Sequence, residues 1–239
     1  GNGDDAALDF NTYAIFAGSQ LHNQAIVVNS FNDPALTDTG KFGALYIHAS
    51  GVQNFSQLTF EDSSIAAGVE AFTTTPTGDR IIILGSAGAD DITGTSRGEY
   101  IYGEGDADTL TGGGGFDAFG FNGAAGGNAS GLTTGETITD FVIGADVLIF
   151  YNVTEVASAE QAAVQTAVDA LAGGSTAAQI ATAMATANTT NLGVSSAIFG
   201  GDTYVYFERT GSGTGVAADD VFIKLAGVAS GFTFAGDIA

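Results

Sequence analysis

The sequence predicts a mainly β protein built on a stack of very short strands, with a small helical insertion. Three observations predict this class. From Gly85 to Gly120 the chain reads as four consecutive nine-residue blocks, GSAGADDIT, GTSRGEYIY, GEGDADTLT and GGGGFDAFG. Short apolar or alternating segments lie on both sides of this array, and helical periodicity is confined to about residues 156–188.

Each block carries the same residue types at three places. Glycine stands first, at Gly85, Gly94, Gly103 and Gly112. An acid stands sixth, at Asp90, Glu99, Asp108 and Asp117. A large apolar residue stands eighth, at Ile92, Ile101, Leu110 and Phe119. Because glycine allows tight turns and close approach of backbones, each block is predicted to be a turn followed by a short strand that points its eighth residue inward.

Stacking of such blocks places acids above acids. Alternate blocks share an edge of the stack, so Asp90 is expected near Asp108, and Glu99 near Asp117. Like charges at this spacing are unfavourable without a cation. A hard cation such as Ca²⁺ binds six to eight carboxylate and carbonyl oxygens, so the pattern favours calcium over a flexible acidic linker.

The residues before the array predict a β-rich region without a period. Strands are predicted at Tyr13–Phe16, Ala25–Val28, Ala44–His48, Phe55–Phe60 and Arg80–Leu84. The first residues, GNGDD, match half of a block and contain neither an initiator Met nor a signal-peptide pattern. We therefore expect the chain to be a fragment or a processed product.

The residues after the array predict more strands and two helices. Thr137–Phe150 is predicted to form two strands around Gly144, and further strands are predicted at Thr203–Phe207, Val221–Leu225 and Gly231–Ala235.

The first predicted helix is Ser158–Leu171, opened by a capping box of Ser158 and Gln161 and ended by Gly173. It presents Val164, Val168 and Leu171 on one face. The second helix, Thr176–Asn188, has a narrow apolar face of Ile180 and Met184 and needs a packing partner.

Charge excludes several classes of partner. The chain has 5 Lys plus Arg against 27 Asp plus Glu, a net charge of −22, although only 13% of its residues are charged. Nucleic acid and anionic membranes are poor partners for such a surface. The chain has no Cys, which excludes disulfides and thiolate sites, and no apolar run approaches the roughly 20 residues of a membrane span.

No catalytic constellation is visible, and we expect the chain not to be an enzyme. His22 and His48 are the only histidines, and neither H-E-x-x-H nor G-x-S-x-G occurs. His48 is predicted to be a strand residue that faces away from Leu45 and Ile47. Tyr100 and Tyr102 flank Ile101 and are predicted to face outward, where they could contact a sugar or another subunit.

The blocks resemble the G-G-x-G-x-D-x-U-x nonapeptide of the RTX (repeats-in-toxin) proteins, a calcium-binding repeat. The fourth block, GGGGFDAFG, matches at every specified place. The second departs from the pattern with Arg97 and Glu99, and the third with Glu104 and Asp106. The resemblance implies a parallel β-roll that holds Ca²⁺.

A second resemblance follows the array. ETITDFVIGADVLIF is similar to the D-x-I-x-D-F-x-x-G-x-D segment of serralysin-type secreted proteins, and the stretch from Asp219 to Val228 is similar to the end of that domain. The resemblance covers roughly residues 85–155 and 200–239. It implies an uncleaved C-terminal signal read by the type I secretion machinery, hence a location outside a Gram-negative bacterium or at its surface.

Carried over onto this chain, the resemblance implies a set of Ca²⁺ ligands. Asp90, Asp108 and Asp117 are the stronger side-chain ligands and Glu99 is a weaker one. The backbone carbonyls at the first and third places complete the shells, at Gly85, Ala87, Gly94, Ser96, Gly103, Gly105, Gly112 and Gly114. Asp140 and Asp146 are candidates for a further ion.

Together these patterns divide the chain into a β-rich lead-in over 1–84, a calcium-binding array over 85–121, and a β cap with the helical insertion and secretion signal over 122–239. The expected function is that of a secreted, calcium-binding structural module of a surface-layer protein or adhesin, which self-associates into a lattice or filament. Two alternatives remain at this stage. One is the accessory tail of a secreted hydrolase, and the other is a calcium-dependent glycan-binding module.

Overall fold

The computed structural model describes residues 14–24, 27–28, 44–60, 80–121, 135–150, 153–209, 216–217 and 220–239. In this part of the chain strands far outnumber helices and most of them belong to two sheets, which confirms the mainly β class. The GNGDD half block lies outside it.

The strands are β1 Ala14–Ala17, β2 Val27–Val28, β3 Ala44–His48, β4 Val52–Asn54, β5 Thr59–Phe60, β6 Arg80–Leu84, β7 Asp91–Thr93, β8 Glu99–Tyr102, β9 Thr109–Thr111, β10 Ala118–Phe121, β11 Glu136–Ile138, β12 Val147–Phe150, β13 Thr154–Glu155, β14 Gly193–Phe199, β15 Asp202–Phe207 and β16 Val221–Leu225. The helices are α1 Gly18–Leu21, α2 Ser158–Asp169, α3 Ala177–Ala187 and α4 Phe234–Asp237.

Two sheets contain most of these strands. The first sheet is parallel, in the order β1-β3-β6-β8-β10-β12. The second sheet is mixed, in the order β13-β14-β15-β16-β11-β9-β7-β4, and is antiparallel only where β15 pairs with β14 and β16. From β6 to β12 successive strands alternate between the two sheets, so strands from all three predicted segments share them.

The repeat sets the register of the array. Ile83 pairs with Ile101 in the first sheet, and Ile92 pairs with Leu110 in the second. One full coil therefore takes two blocks. The eighth-place residues Ile92, Ile101, Leu110 and Phe119 are almost fully buried in one core between the sheets, as predicted. Beyond the array, Leu148 and Ile138 continue the same two columns.

Strand predictions before the array are confirmed for Ala44–His48 and Arg80–Leu84. Of Phe55–Phe60, only Thr59–Phe60 is a strand, while Val52–Asn54 forms the unpredicted β4. Of Ala25–Val28, only Val27–Val28 is described, and of Tyr13–Phe16 the described residues open β1. Strand β4 carries no apolar alternation, and its pairing with β7 is what makes it a strand.

After the array, the two strands around Gly144 are confirmed as β11 and β12, with Gly144 at φ +73° between them. Strands β15 and β16 are confirmed as well. The strand predicted at Gly231–Ala235 is wrong, because Thr233 caps the short helix α4 there and accepts the Gly236 N–H. Strand β14 was not predicted, and it forms a hairpin with β15.

Both predicted helices are present, but the first begins differently. The capping box of Ser158 and Gln161 is wrong, since Ala157 is the N-cap and no side chain caps α2. The Gln161 amide instead bonds the backbone of Ser196 on β14, with Ser196 N–H donating at 3.1 Å. Helix α3 does have a capping box, of Thr176 and Gln179. No helix in the described part of the chain combines the length and apolarity that crossing a membrane requires.

The helical pair covers the outer face of the second sheet. Val164 and Val168 of α2 pack with Ile180 and Met184 of α3, and this cluster continues onto the sheet through Tyr206 and Phe222. All six side chains are buried. The narrow apolar face of the second helix thus has the partner it was predicted to need.

Candidate metal centre

The sixth-place acids of the blocks, together with two later acids, stack in two columns. One column lies along each edge where the chain passes between the sheets. The first column contains Asp90, Asp108 and Glu136. Asp90 N–H donates to Asp108 Oδ1 at 2.7 Å, across 18 positions of sequence. Asp108 N–H donates to Glu136 Oε2 at 2.9 Å, across 28 positions. The carboxylates of Asp108 and Glu136 therefore each accept the backbone N–H of the acid that lies one coil earlier.

The second column contains Glu99, Asp117 and Asp146 and is built in the same way. Glu99 N–H donates to Asp117 Oδ1, and Asp117 N–H donates to Asp146 Oδ1, both at 2.9 Å. The structure thus brings together the predicted pairs, Asp90 with Asp108 and Glu99 with Asp117. It also adds Glu136, which the sequence analysis missed because that residue lies outside the nine-residue blocks.

Both columns are buried. The residues Asp90, Glu99, Asp108, Asp117, Glu136 and Asp146 are each at most 4% exposed. Burial, reinforced by neighbouring carboxylates, raises the pKa of Asp108 and Asp117 to about 7 and that of Glu136 to about 9. It also raises the pKa of Glu99 and Asp146. Carboxyls that resist ionisation in this way favour either a bound proton or a bound cation.

The Asp108 carboxylate has an oxygen with no partner. Its Oδ1 accepts the Asp90 N–H, whereas Oδ2 is buried and accepts no hydrogen bond. An unsatisfied buried acceptor costs about 1–3 kcal/mol, more when it is charged. Binding a cation would satisfy the Oδ2 atom of Asp108.

The first-place glycines bring oxygen atoms close together. A methyl group added at Gly85 would lie under 3.0 Å from both Asp90 Oδ2 and the Gly103 carbonyl oxygen. A methyl at Gly94 would lie equally close to Glu99 Oε2 and the Gly112 carbonyl. In each case the carboxylate oxygen of the glycine's own block and a carbonyl oxygen of the next coil lie close to the same glycine.

The other two first-place glycines, Gly103 and Gly112, approach the carboxylates of their own blocks, Asp108 and Asp117, to a similar degree. The third-place residues also pair across coils: a methyl on Gly105 would meet the Ala87 carbonyl, and one on Gly114 would meet the Ser96 carbonyl. The first-place residues therefore lie beside the acid columns, and the third-place residues lie against one another on successive coils.

Two blocks that depart from the repeat show how the departure is accommodated. Glu104 and Asp106 have φ of +73° and +67°, so they keep the left-handed backbone that glycine favours at their places. Glu99 accepts bonds from both the backbone N–H and the hydroxyl of Thr95. The longer acid of the second block is thus tied to its own turn.

The later acids Asp140 and Asp146 lie at the same edge as Asp117. Asp140 accepts the N–H groups of Gly112 and Gly113 through its two oxygens, each at 2.9 Å. Asp146 Oδ2 accepts the Val142 N–H at 2.7 Å, and its other oxygen holds Asp117. Both carboxylates therefore support the turn and loop backbone next to the second column.

The C-terminus supports this loop from the other side. Asp237, which is 1% exposed, accepts N–H bonds from Gly144 at 3.0 Å and from Thr233 at 2.7 Å. Ala239 N–H donates to the Leu148 carbonyl at 2.9 Å. Asp237 was not identified from the sequence, because the loop residue that it holds, Gly144, is 93 positions away.

Replacing Asp237 by alanine is expected to lower the free energy of unfolding by about 2 kcal/mol, since two backbone donors lose a charged acceptor. Urea denaturation followed by circular dichroism measures this. Asp169→Ala, on the exposed surface of α2, is the control and should leave stability almost unchanged. Equal stabilities for the two variants would contradict the role assigned to Asp237.

The structure describes both histidines of the chain. His48 is exposed while Leu45 and Ile47 are buried, as predicted. His22 Nδ1 accepts the Asn54 N–H at 2.9 Å, which is a structural bond.

Tyr100 lies on the outer face of the first sheet, but it is only 9% exposed and the Arg80 guanidinium lies 5.4 Å from its ring centre. The Tyr102 ring covers Gly120. Tyr100 therefore faces outward as predicted, but its neighbours cover its ring, so it offers little surface to a sugar or another subunit.

The donor set is made of oxygen atoms. Within the described ranges, no group of three or more His, Cys, Asp or Glu side chains is placed to hold an ion. A centre built from these residues would combine carboxylate pairs with turn carbonyls, and such all-oxygen sets suit Ca²⁺. Comparison of the chain with protein-family models and with curated proteins gives no match to either.

Proposed function

We propose that this chain is a non-enzymatic calcium-binding structural module of a secreted cell-surface protein, and that it folds as a parallel β-roll when it meets external Ca²⁺. The observation that carries the proposal is the pair of buried acid columns, in which six carboxyl groups lie on successive coils at no more than 4% exposure.

The buried columns place negative charges close together without a positive side chain between them in the hydrogen bonds described above. At neutral pH six stacked carboxyls must hold protons or share a positive charge, because burial in a low-dielectric interior penalises unpaired anions. The turns surrounding the columns offer carbonyl oxygens from the first and third places of each block. These groups, together with Asp90, Asp108, Asp117 and Glu99, would hold Ca²⁺ between coils, and the ion would supply the missing positive charge.

The array itself provides a way to make folding depend on location. Its strands are only three or four residues long, so each coil contributes little apolar contact of its own. Without cations the columns oppose stacking, and the array is expected to remain loose. Extracellular sites of about 10⁻⁴–10⁻³ M affinity fill at millimolar Ca²⁺ and stay empty at cytosolic levels, which suits export before folding.

The remaining acidity supports a role at a surface. The chain carries a net charge of −22, and six buried carboxyls account for only part of it. Exposed acids with so few Lys and Arg to pair with would let further divalent cations link copies of the chain into a lattice or filament. The covered ring of Tyr100 gives no support to a glycan-binding role.

Calcium removal tests the proposal. In excess EDTA at neutral pH, the β signal in circular dichroism is expected to fall substantially, and millimolar Ca²⁺ should restore it. Mg²⁺ should not, because it demands a smaller and stricter octahedral site. Light scattering in the same titration should rise with Ca²⁺ if the chains assemble. A spectrum and melting temperature that full chelation leaves unchanged would refute calcium-dependent folding.

A further inference from the structure

The first acid column continues past the nine-residue blocks. Glu136 opens β11, 28 positions after Asp108 instead of the 18 that separate Asp90 from Asp108. Nevertheless Thr137 pairs with Thr109, and Ile138 pairs with Leu110. This register puts Glu136 where the sixth-place acid of the next coil would stand.

The backbone holds Glu136 at that place. Gly135 has φ +65°, and a methyl group there would lie under 3.0 Å from the ring and the carbonyl of Phe222. A residue with a side chain would therefore be strained at the position before β11. The Asp108 N–H then donates to Glu136 Oε2 at 2.9 Å, which repeats the bond from Asp90 to Asp108.

The second oxygens of this pair have no partner. Asp108 Oδ2 and Glu136 Oε1 are both buried and without a hydrogen bond, and the two residues are 1% and 0% exposed. Asp90 at the start of the column differs, since one of its oxygens accepts the Ser86 N–H at 2.6 Å and the other accepts the Gly51 N–H. The unsatisfied oxygens are thus concentrated at the Asp108–Glu136 step.

The surroundings favour a cation over a neutral partner. The carboxylates of Asp90, Glu104 and Asp106 lie within electrostatic reach of Asp108, and that of Asp106 also lies within reach of Glu136. A water molecule could bond to the free oxygens but would leave this concentration of negative charge unbalanced. A hard divalent cation would satisfy both oxygens and offset the charge.

We propose that Asp108 and Glu136 are the carboxylate ligands of a Ca²⁺ site beyond the repeats, which the nonapeptide pattern does not predict. This inference rests on the proposed calcium-dependent function and adds a ligand, Glu136, and a site to it. The site would extend the cation-binding array by one coil. The added coil contains β11, which pairs with β9 of the repeats on one side and with β16 on the other.

The test compares Glu136→Gln with Glu155→Gln, a matched change at an exposed glutamate on β13. Native mass spectrometry of the full chain in Ca²⁺ counts bound ions, and thermal melts measure the shift that Ca²⁺ produces. Glutamine keeps an oxygen that can accept the Asp108 N–H, so the circular dichroism spectrum and melting temperature of E136Q in EDTA should match those of the unmodified chain, whatever structure that chain retains without Ca²⁺. We expect E136Q to bind one Ca²⁺ fewer and to show a smaller Ca²⁺-induced shift, with E155Q unchanged in both.

Other results would overturn the inference. An unchanged ion count in E136Q would do so, as would equal losses of melting temperature with and without Ca²⁺, which indicate a purely structural glutamate. If glutamine prevents folding, Glu136→Asp decides: weaker affinity at one site supports the assignment, and unaltered affinity overturns it. An unmodified chain that binds no Ca²⁺ at all would instead refute the proposed function.

Discussion

Replacing Gly85 by alanine is expected to destabilise the protein by roughly 3 kcal/mol, whereas Gly88→Ala in the same turn is expected to change stability by less than about 1 kcal/mol. The added methyl at Gly85 would collide with the Gly103 carbonyl of the next coil, and that backbone atom has little freedom to move. At Gly88 the same methyl meets nothing within 4 Å.

Urea denaturation of both variants in saturating Ca²⁺ measures the difference, and a Ca²⁺ titration adds a second readout. Because the Gly85 methyl would also crowd Asp90 Oδ2, G85A should need more Ca²⁺ to fold, while G88A should not. Similar destabilisation of the two variants would mean that first-place glycines serve only turn formation. That result would contradict the explanation that glycine stands first in each block because the coils stack closely there.

The stability of the metal-free protein is expected to fall as pH rises from about 5 to about 9, opposite to the usual behaviour of paired acids. Burial raises the pKa of Asp108 and Asp117 to about 7 and that of Glu136 to about 9. In the unfolded chain these groups ionise near pH 4. The folded state therefore binds more protons over this interval, and stability present at acidic pH is lost as pH rises through the folded pKa values.

The slope can reach about 1.4 kcal/mol per pH unit for each group that titrates. Urea denaturation in EDTA across the pH range measures it. In Ca²⁺ the slope should disappear or reverse, because cations compete with protons for the same oxygens. Asp117→Asn should flatten the metal-free slope between about pH 5 and 7, and Asp91→Asn, at an exposed position, should not. Stability that rises with pH in EDTA would contradict the burial of ionisable columns.

The array was the most predictable part of the molecule. Its period of nine residues correctly indicated which residues point inward and which acids share an edge, and these expectations are confirmed for Ile92 with Leu110 and for Asp90 with Asp108. Both follow from local geometry, since a strand alternates its side chains and a repeated turn repeats their direction. Helix α3 was predictable for a similar reason, because Ile180 and Met184 lie one turn apart.

The errors occurred where partners are distant in sequence. Gln161 matches a capping box but bonds Ser196, 35 positions away, because the strand beside α2 offers it backbone partners. Strand β4 has no sequence pattern of its own and depends on pairing with β7. Tyr100 faces outward, yet its ring is covered by neighbours that single-strand alternation does not specify.

By itself, the sequence determined the coil of two blocks, the glycine, acid and apolar places within it, and the oxygen chemistry that the acids offer. Only the tertiary structure decided where the columns end. Glu136 joins the first column across 28 positions, and Asp237 supports the loop of the second column across 93. The reason is physical: a period is a property of neighbouring residues, whereas a column is completed by whichever segment the register of the sheets brings beside it.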